Sequence, residues 1–340
     1  MENLAERKER IWYWDTVKFF MILCVVMGHF VESMASFGRT DIVPLKIFIY
    51  SFHMPMFIFI FGIFYKEKNS RKKALFFLSA GYLFKFFIFF VSRLINGDAM
   101  FTLFYDAGAT WFFFSLVWYI LLAKALKRFD KRLVLVISFT ISLFSGYFKE
   151  INEFLSISRT IVFFPYFWLG TMIDKRSLLA GIRKIRKYLL IPSIVLLTGW
   201  LLICFLGYDD IKVIIPLLSG RNPFTEKTEG MGCLYRLLTT AITVLTGAAI
   251  LIVVPEKKIP VISYMGRNTI NVYFWHYTFL YMVFRFLNVQ KIVANDWGVI
   301  LFLVIAAAIT FLLSLDIFNF PLKYLNRLIM NPSKVNDRSS

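Results

Sequence analysis

The sequence predicts an all-α, polytopic membrane helix bundle of about ten transmembrane helices with both termini cytoplasmic. Two observations carry this. Apolar runs of the length that a ~30 Å hydrocarbon layer demands of a helix recur evenly from residue 12 to residue 320. Lysine and arginine gather in alternate gaps between those runs, as they do where loops face the cytoplasm. Composition agrees: the 340 residues are 59% hydrophobic and 18% charged, where a soluble domain would carry about 25% charge.

Taken in order, the spans are 12–31, 44–64, 74–95, 110–125, 133–148, 159–173, 188–207, 234–254, 268–287 and 297–320. The fifth and sixth are the shortest. With the N-terminus inside, the inner segments hold 26 of the 39 basic residues and the outer gaps seven. Arg7, Lys8, Arg10, Lys334 and Arg338 belong to the inner group. This distribution accounts for most of the net charge of +18 and leaves no single basic stripe for nucleic acid. No soluble module interrupts the pattern, so residues 1–340 read as one integral-membrane domain. Asp15 and Lys18 break the first apolar run, which therefore reads as a retained helix rather than a signal peptide. Cys24, Cys204 and Cys233 lack metal-like or CxxC spacing and read as structural thiols. The outer loop 208–233 is long and contains an apolar piece, 211–218, too short to span. It is either a surface loop with an interfacial helix or a lid over an outward-facing site.

Polar groups inside the spans are the functional signal, because each is expensive in hydrocarbon. In the first helix Lys18 and His29 stand about 20° apart around the axis and about 16 Å apart along it. Asp15 continues that stripe one turn towards the cytoplasm, and Gly28 allows close approach beside His29. These residues, with His29 at the centre, are the candidate catalytic group. In the second span Pro55 clashes with the carbonyl of Ser51, predicting a kink beside His53. His53 is then either a structural hydrogen-bond partner or part of the site. Arg159 falls at the outer boundary of the sixth span, as an anchor or as a group orienting an acceptor. Arg236 and Arg285 read as outer anchors, and Lys85 requires a carboxylate or a wet cavity. In the ninth span Asn268 or Thr269 reads as an N-cap. Asn271 and His276 lie deeper, and His276 either joins His29 or bonds a neighbouring helix. Nucleophile triads, HExxH pairs and Walker loops are absent, and no metal is expected.

Five short motifs then appear in order: D-x-x-K-x-x-x-I-x-x-V-V-x-G-H from Asp15 to His29; F-H-M-P-M-F at 52–57 with Gly62; W-F-F-F-S-L at 111–116; F-F-P-Y-F-W-L-G at 163–170; and Y-M-G-R-N-T-I at 264–270 with Tyr273 and His276. The chain resembles the integral-membrane acyltransferase-3 superfamily, and within it the fucose 4-O-acetylase-like group. That family pairs a basic residue, usually Arg, with a His about ten positions later in the first helix. Here the pair is Lys18 and His29, and Lys lacks the planar fork of Arg. Relatives often carry Arg-x-x-Arg near the third helix; this chain has Arg71, Lys72 and Lys73.

The resemblance implies acyl transfer, foremost acetyl, from cytoplasmic acetyl-CoA to a sugar hydroxyl of an envelope glycan or its lipid-linked precursor. The place implied is a bacterial cytoplasmic membrane. Lys18, Arg71, Lys72 and Lys73 would bind the donor, and His53, Arg159, Asn271 and His276 the acceptor. His29 would act as general base or as acyl carrier. Two other readings stay open: a flippase for a lipid-linked glycan, and a non-catalytic partner in a glycan-synthesis complex. A homo-oligomer is compatible with each of them.

Overall fold

The computed structural model describes residues 11–97, 100–106 and 108–330. Arg7, Lys8, Arg10, Lys334 and Arg338 lie outside the described residues. The described chain is helical, and its β-type pairing is one isolated bridge between Tyr105 and Phe154. In order, the helices are α1 (Trp12–Ser36), α2 (Val43–Tyr50), α3 (His53–Phe64), α4 (Ser70–Asn96), α5 (Trp111–Leu126), α6 (Lys131–Phe144), α7 (Ile157–Thr171) and α8 (Lys175–Leu206). They continue with the short α9 (Tyr208–Ile211) and α10 (Ile215–Leu218), then α11 (Gly232–Val253), α12 (Pro260–Met265), α13 (Thr269–Phe286), α14 (Val289–Ile292), α15 (Asp296–Leu313) and α16 (Leu322–Met330).

Each of the ten apolar runs is helical. Seven segments are long and apolar enough to cross a membrane: Trp12–Ser36, Thr40–Phe64, Ser70–Ile95, Gly108–Leu126, Lys175–Leu206, Glu229–Val253 and Asp296–Leu313. The helices at the other three runs, α6, α7 and α13, have 14, 15 and 18 residues. At 1.5 Å per residue, α6 and α7 reach only about 21–23 Å. Hydropathy and position separate the helices by role. The most apolar window, in α8, is only 11% buried and faces outwards, whereas α7 buries ten of its residues, Ser158, Arg159 and Thr160 among them.

The predicted kink at Pro55 is a full break. Helix α2 ends at Tyr50, two residues turn, and α3 starts at His53. The Ser51 carbonyl, which Pro55 leaves without a helical donor, accepts a hydrogen bond from Thr243 Oγ1 at 2.7 Å. Helix α3 then lies directly on α7. A Cβ at Gly62 would sit 2.1 Å from the Phe167 carbonyl oxygen, and one at Gly170 would sit 2.2 Å from that of Phe59. The two glycines therefore let the backbones touch. Aromatic packing fills the interior, with Phe19, Phe30, Phe84, Phe113, Phe167, Phe274 and Phe302 fully buried.

Candidate functional site

Helix α1 runs unbroken through Asp15, Lys18 and His29, so the polar stripe exists as one helical face. Its two ends serve different cavities. At the basic end of the bundle, Asp15 and Lys18 line a mouth of about 730 Å³ together with Lys66, Lys175 and Arg176. Lys18 Nζ lies 2.8 Å from Asp15 Oδ1. Lys18 and Lys175 flank the Phe64 ring at 5.7 and 4.8 Å. Lys18 also borders a second, largely apolar slot of about 300 Å³ walled by Phe57, Phe61, Phe112 and Tyr273. Tyr273 in turn borders a third cavity, a polar chamber of about 270 Å³. Its hydroxyl donates to the Ala109 carbonyl at 2.7 Å, which fixes the ring between slot and chamber.

The chamber holds His29, His53 and Arg159, three of the residues that the sequence singled out. Gly28 does what was expected of it: a Cβ there would press on Tyr50 at 3.1 Å, so its absence lets α2 approach His29. His53 donates Nδ1–H to the Ile49 carbonyl at 2.8 Å. His276 stands behind the chamber, 1% exposed, with its ring stacked on His29 at 5.3 Å between centroids. Its Nδ1–H is shared by the carbonyls of Tyr273 (2.7 Å) and Val272 (3.2 Å).

Four residues that the sequence left unmarked complete this chamber. Glu32 Oε2 lies 3.4 Å from His29 Nδ1. Lys46 Nζ bonds Glu32 Oε1 at 2.7 Å, and the Tyr50 hydroxyl donates to Oε2 at 3.1 Å. The Tyr277 hydroxyl is 3.3 Å from His29 Nδ1. Glu32 sits one turn beyond His29, and the predicted span stopped at residue 31, although the helix runs on to Ser36. The i, i+3 spacing from a membrane histidine was the signal that could have found it.

Arg159 is not an interfacial anchor. It is 5% exposed, ion-paired with Asp106, and stacked on the Trp111 ring at 5.1 Å. Its Nε donates to the Ser219 carbonyl at 3.2 Å. Asp106, in the loop before α5, also accepts from the Ser156 hydroxyl. Burial pushes its carboxyl above the ordinary range, with Arg159 and Ser156 pulling the other way. Arg159 thus ties two loops together at the chamber. One of them is the long loop, whose Ile215, Pro216, Leu218, Ser219 and Arg221 line the chamber. The loop therefore forms part of the chamber wall.

Other polar groups are placed elsewhere. Asn271 bonds Asn319 Oδ1 through Nδ2 at 2.5 Å and borders none of the three cavities. Asn268 occupies the N-cap position of α13, but its side chain bonds the Ser314 carbonyl at 2.8 Å instead of capping. Arg71, Lys72 and Lys73 do not line the basic mouth; Lys72 and Lys73 donate to the carbonyls of Met330 and Lys66. Lys85 donates to the carbonyls of Leu103 (3.2 Å) and Tyr105 (2.6 Å) over the Phe114 ring, with the Asp106 carboxylate near enough to act on its charge. Arg236, expected at the surface, is 1% exposed and bonds Asn222 Oδ1 at 2.6 Å. Among the described residues no group of three His, Cys, Asp or Glu is arranged to hold a metal ion.

Long apolar helices, with a first helix whose Asp15–Lys18–His29 face runs between two cavities, mark a multi-pass membrane protein. A family model described as an acyltransferase domain matches residues 11–318, and the chain belongs to that family, acyltransferase-3. No curated protein and no solved structure matches the chain.

Proposed function

We propose that this protein moves an acetyl group from cytoplasmic acetyl-CoA to a sugar hydroxyl of a cell-envelope glycan or its lipid-linked precursor, in a bacterial cytoplasmic membrane. The observation that carries this reading is the series of three adjoining cavities. Lys18 borders the mouth and the slot, Tyr273 borders the slot and the chamber, and His29 faces the chamber. Coenzyme A is a polyanion with a long, thin, weakly polar arm. Lys66, Lys175 and Arg176 suit its phosphates at the mouth, where charge-assisted hydrogen bonds are strong. The apolar slot suits the arm, which would bring the thioester up to Tyr273 and His29. The chamber offers aromatic rings beside carboxylates, the side-chain chemistry that binds sugar rings and their hydroxyls.

In direct transfer, His29 takes the proton from the acceptor hydroxyl as its oxygen bonds the acyl carbon. The carbon–sulfur bond then breaks, and the imidazolium returns the proton to the leaving thiolate. In two-step transfer the imidazole first accepts the acyl group itself, releasing the thiol, and then passes the group to the acceptor oxygen. Both routes use the same nitrogen of one neutral ring.

The test is reconstitution in proteoliposomes with radiolabelled acetyl-CoA and an envelope-glycan acceptor. Wild-type protein is expected to release free thiol and label the glycan, and His29→Ala to do neither while inserting at normal abundance. Label transfer at near wild-type rate by His29→Ala removes the proposal, as does an intact thioester in the wild-type reaction.

A further inference from the structure

The three histidines of this chain are held in two different ways, and the difference singles out one of them. His53 and His276 each donate Nδ1–H to backbone carbonyls three or four residues back in their own chain segment: Ile49 for the first, Val272 and Tyr273 for the second. A backbone carbonyl is a neutral acceptor that fixes a tautomer and stabilises an imidazolium only weakly. His29 is different, because its Nδ1 faces the Glu32 carboxylate and the Tyr277 hydroxyl. A carboxylate behind an imidazole both orients the ring and offsets the positive charge that the ring acquires when it takes a proton or an acyl group.

We propose that Glu32 is the positioning residue of the site, holding the His29 proton on Nδ1 so that Nε2 faces the reacting group. This deepens the acyl-transfer reading and rests on it for the rate effect, though not for the tautomer. Glu32 is itself locked. Lys46 occupies Oε1, while Tyr50 and His29 share Oε2. Lys46 and Tyr50 lie one turn apart on α2, the short helix that ends just before the break ahead of Pro55. The break thus has a use: it lets α2 present Lys46 and Tyr50 to Glu32 while α3 begins with His53 beside the same chamber.

The lock makes a sharp expectation for an isosteric change. In Glu32→Gln, Lys46 can only donate, so it claims the amide oxygen and turns the NH2 group towards His29 Nδ1. A donor there requires Nδ1 to be unprotonated, which moves the ring proton to Nε2 and blocks the reactive nitrogen. In the double variant Glu32→Gln, Lys46→Met the amide is free to turn round, and the original tautomer returns.

The experiment is 15N spectroscopy of histidine ring nitrogens in the full chain in lipid nanodiscs, with His29→Asn giving the assignment. His53 and His276 serve as internal references. The wild type is expected to show all three rings protonated on Nδ1. Glu32→Gln converts the His29 ring alone to the Nε2–H form, and the double variant reverts it. In parallel, Glu32→Gln lowers kcat for acetyl transfer on the order of 10²–10⁴-fold, the scale seen when a catalytic histidine is held in the wrong tautomer. The acetyl-CoA KM stays within about twofold, and the double variant recovers part of kcat. A wild-type His29 protonated on Nε2, or a His29 tautomer unchanged by Glu32→Gln, overturns the assignment. Because the spectra need no turnover, a protein that shows the tautomer switch but never transfers acetyl groups refutes the acyl-transfer reading and leaves the positioning role standing.

Discussion

His29 and His276 face each other ring to ring, their centroids 5.3 Å apart and their planes 29° from parallel. His276 is the wall against which the proposed catalytic ring rests, and its Nε2 is buried without a hydrogen-bond partner among the described residues. Replacing it by alanine should open a cavity worth about 2–4 kcal/mol, by analogy with other large-to-small core changes. Replacing it by phenylalanine keeps an aromatic face and removes the unpaired nitrogen, so most of that loss should return. Thermal unfolding of His276→Ala and His276→Phe in detergent checks this. Equal destabilisation by both would show that the imidazole, and not its ring face, is what the site requires.

Lys18 and Asp15 form an ion pair at 2.8 Å within α1, with the aspartate nearly fully buried. Removing only the cation takes this pairing from a buried carboxylate, which is the damaging way to break such a pair. Lys18→Ala should lower both the folded yield and kcat/KM for acetyl-CoA, the latter by about tenfold or more. Lys18→Arg should stay within about threefold of wild type. An active, well-folded Lys18→Ala protein would leave the lysine without a role.

Arg159 bridges the Asp106 loop and the Ser219 carbonyl of the long loop before α11. Arg159→Lys keeps the charge but cannot span both partners while stacking on Trp111. The expected outcome is an acceptor KM raised about tenfold with the donor KM unchanged, read by varying each substrate separately. A matching rise in donor KM would mean that the arginine supports the whole bundle and not the outer cover.

In the proposed reaction the donor phosphates sit at the basic mouth. Lys66→Ala and Arg176→Ala should therefore each raise the acetyl-CoA KM about three- to tenfold, the range for loss of one charge-assisted contact. Arg71→Ala should leave it unaltered, since Arg71 does not border that cavity. Isothermal titration with coenzyme A tests the three variants side by side, and a loss confined to Arg71→Ala would move the donor site to the start of α4.

Helices α3 and α7 touch through Gly62 and Gly170, where a Cβ would lie 2.1–2.2 Å from a backbone oxygen of the facing helix. No side-chain rotation can relieve such a contact. Gly62→Ala should destabilise the protein by about 3 kcal/mol, at the upper end for overpacking. The measure is the monodisperse fraction after heating in detergent, and an unchanged fraction would show that the two helices are free to separate.

Much of the site was legible because it rests on short-range geometry. Lys18, Asp15 and His29 share a face of one helix, and 100° per residue settles that without a partner. Pro55 announced the break at residues 51–52 for an equally local reason. Arg71, Lys72 and Lys73 were named from the family's Arg-x-x-Arg position, which does not say which way a helix end turns, and they do not line the basic mouth. Arg159 and Arg236 stand at span ends and read as anchors, Arg159 alternatively as a group orienting an acceptor, yet both are buried because loop residues, Asp106 and Asn222, fold back to meet them.

Span lengths, the division of basic residues between gaps and the family motifs are properties of neighbouring residues, so the class of protein and its first-helix stripe follow from the chain as written. Which histidine answers to a carboxylate is a different matter. Lys46 and Tyr277 come from two other helices, and nothing in their spacing along the chain encodes their meeting with Glu32 around His29. Contact between helices is decided by which backbones can approach, here through Gly28 against Tyr50 and Gly62 against Gly170, and that is settled only when the bundle packs.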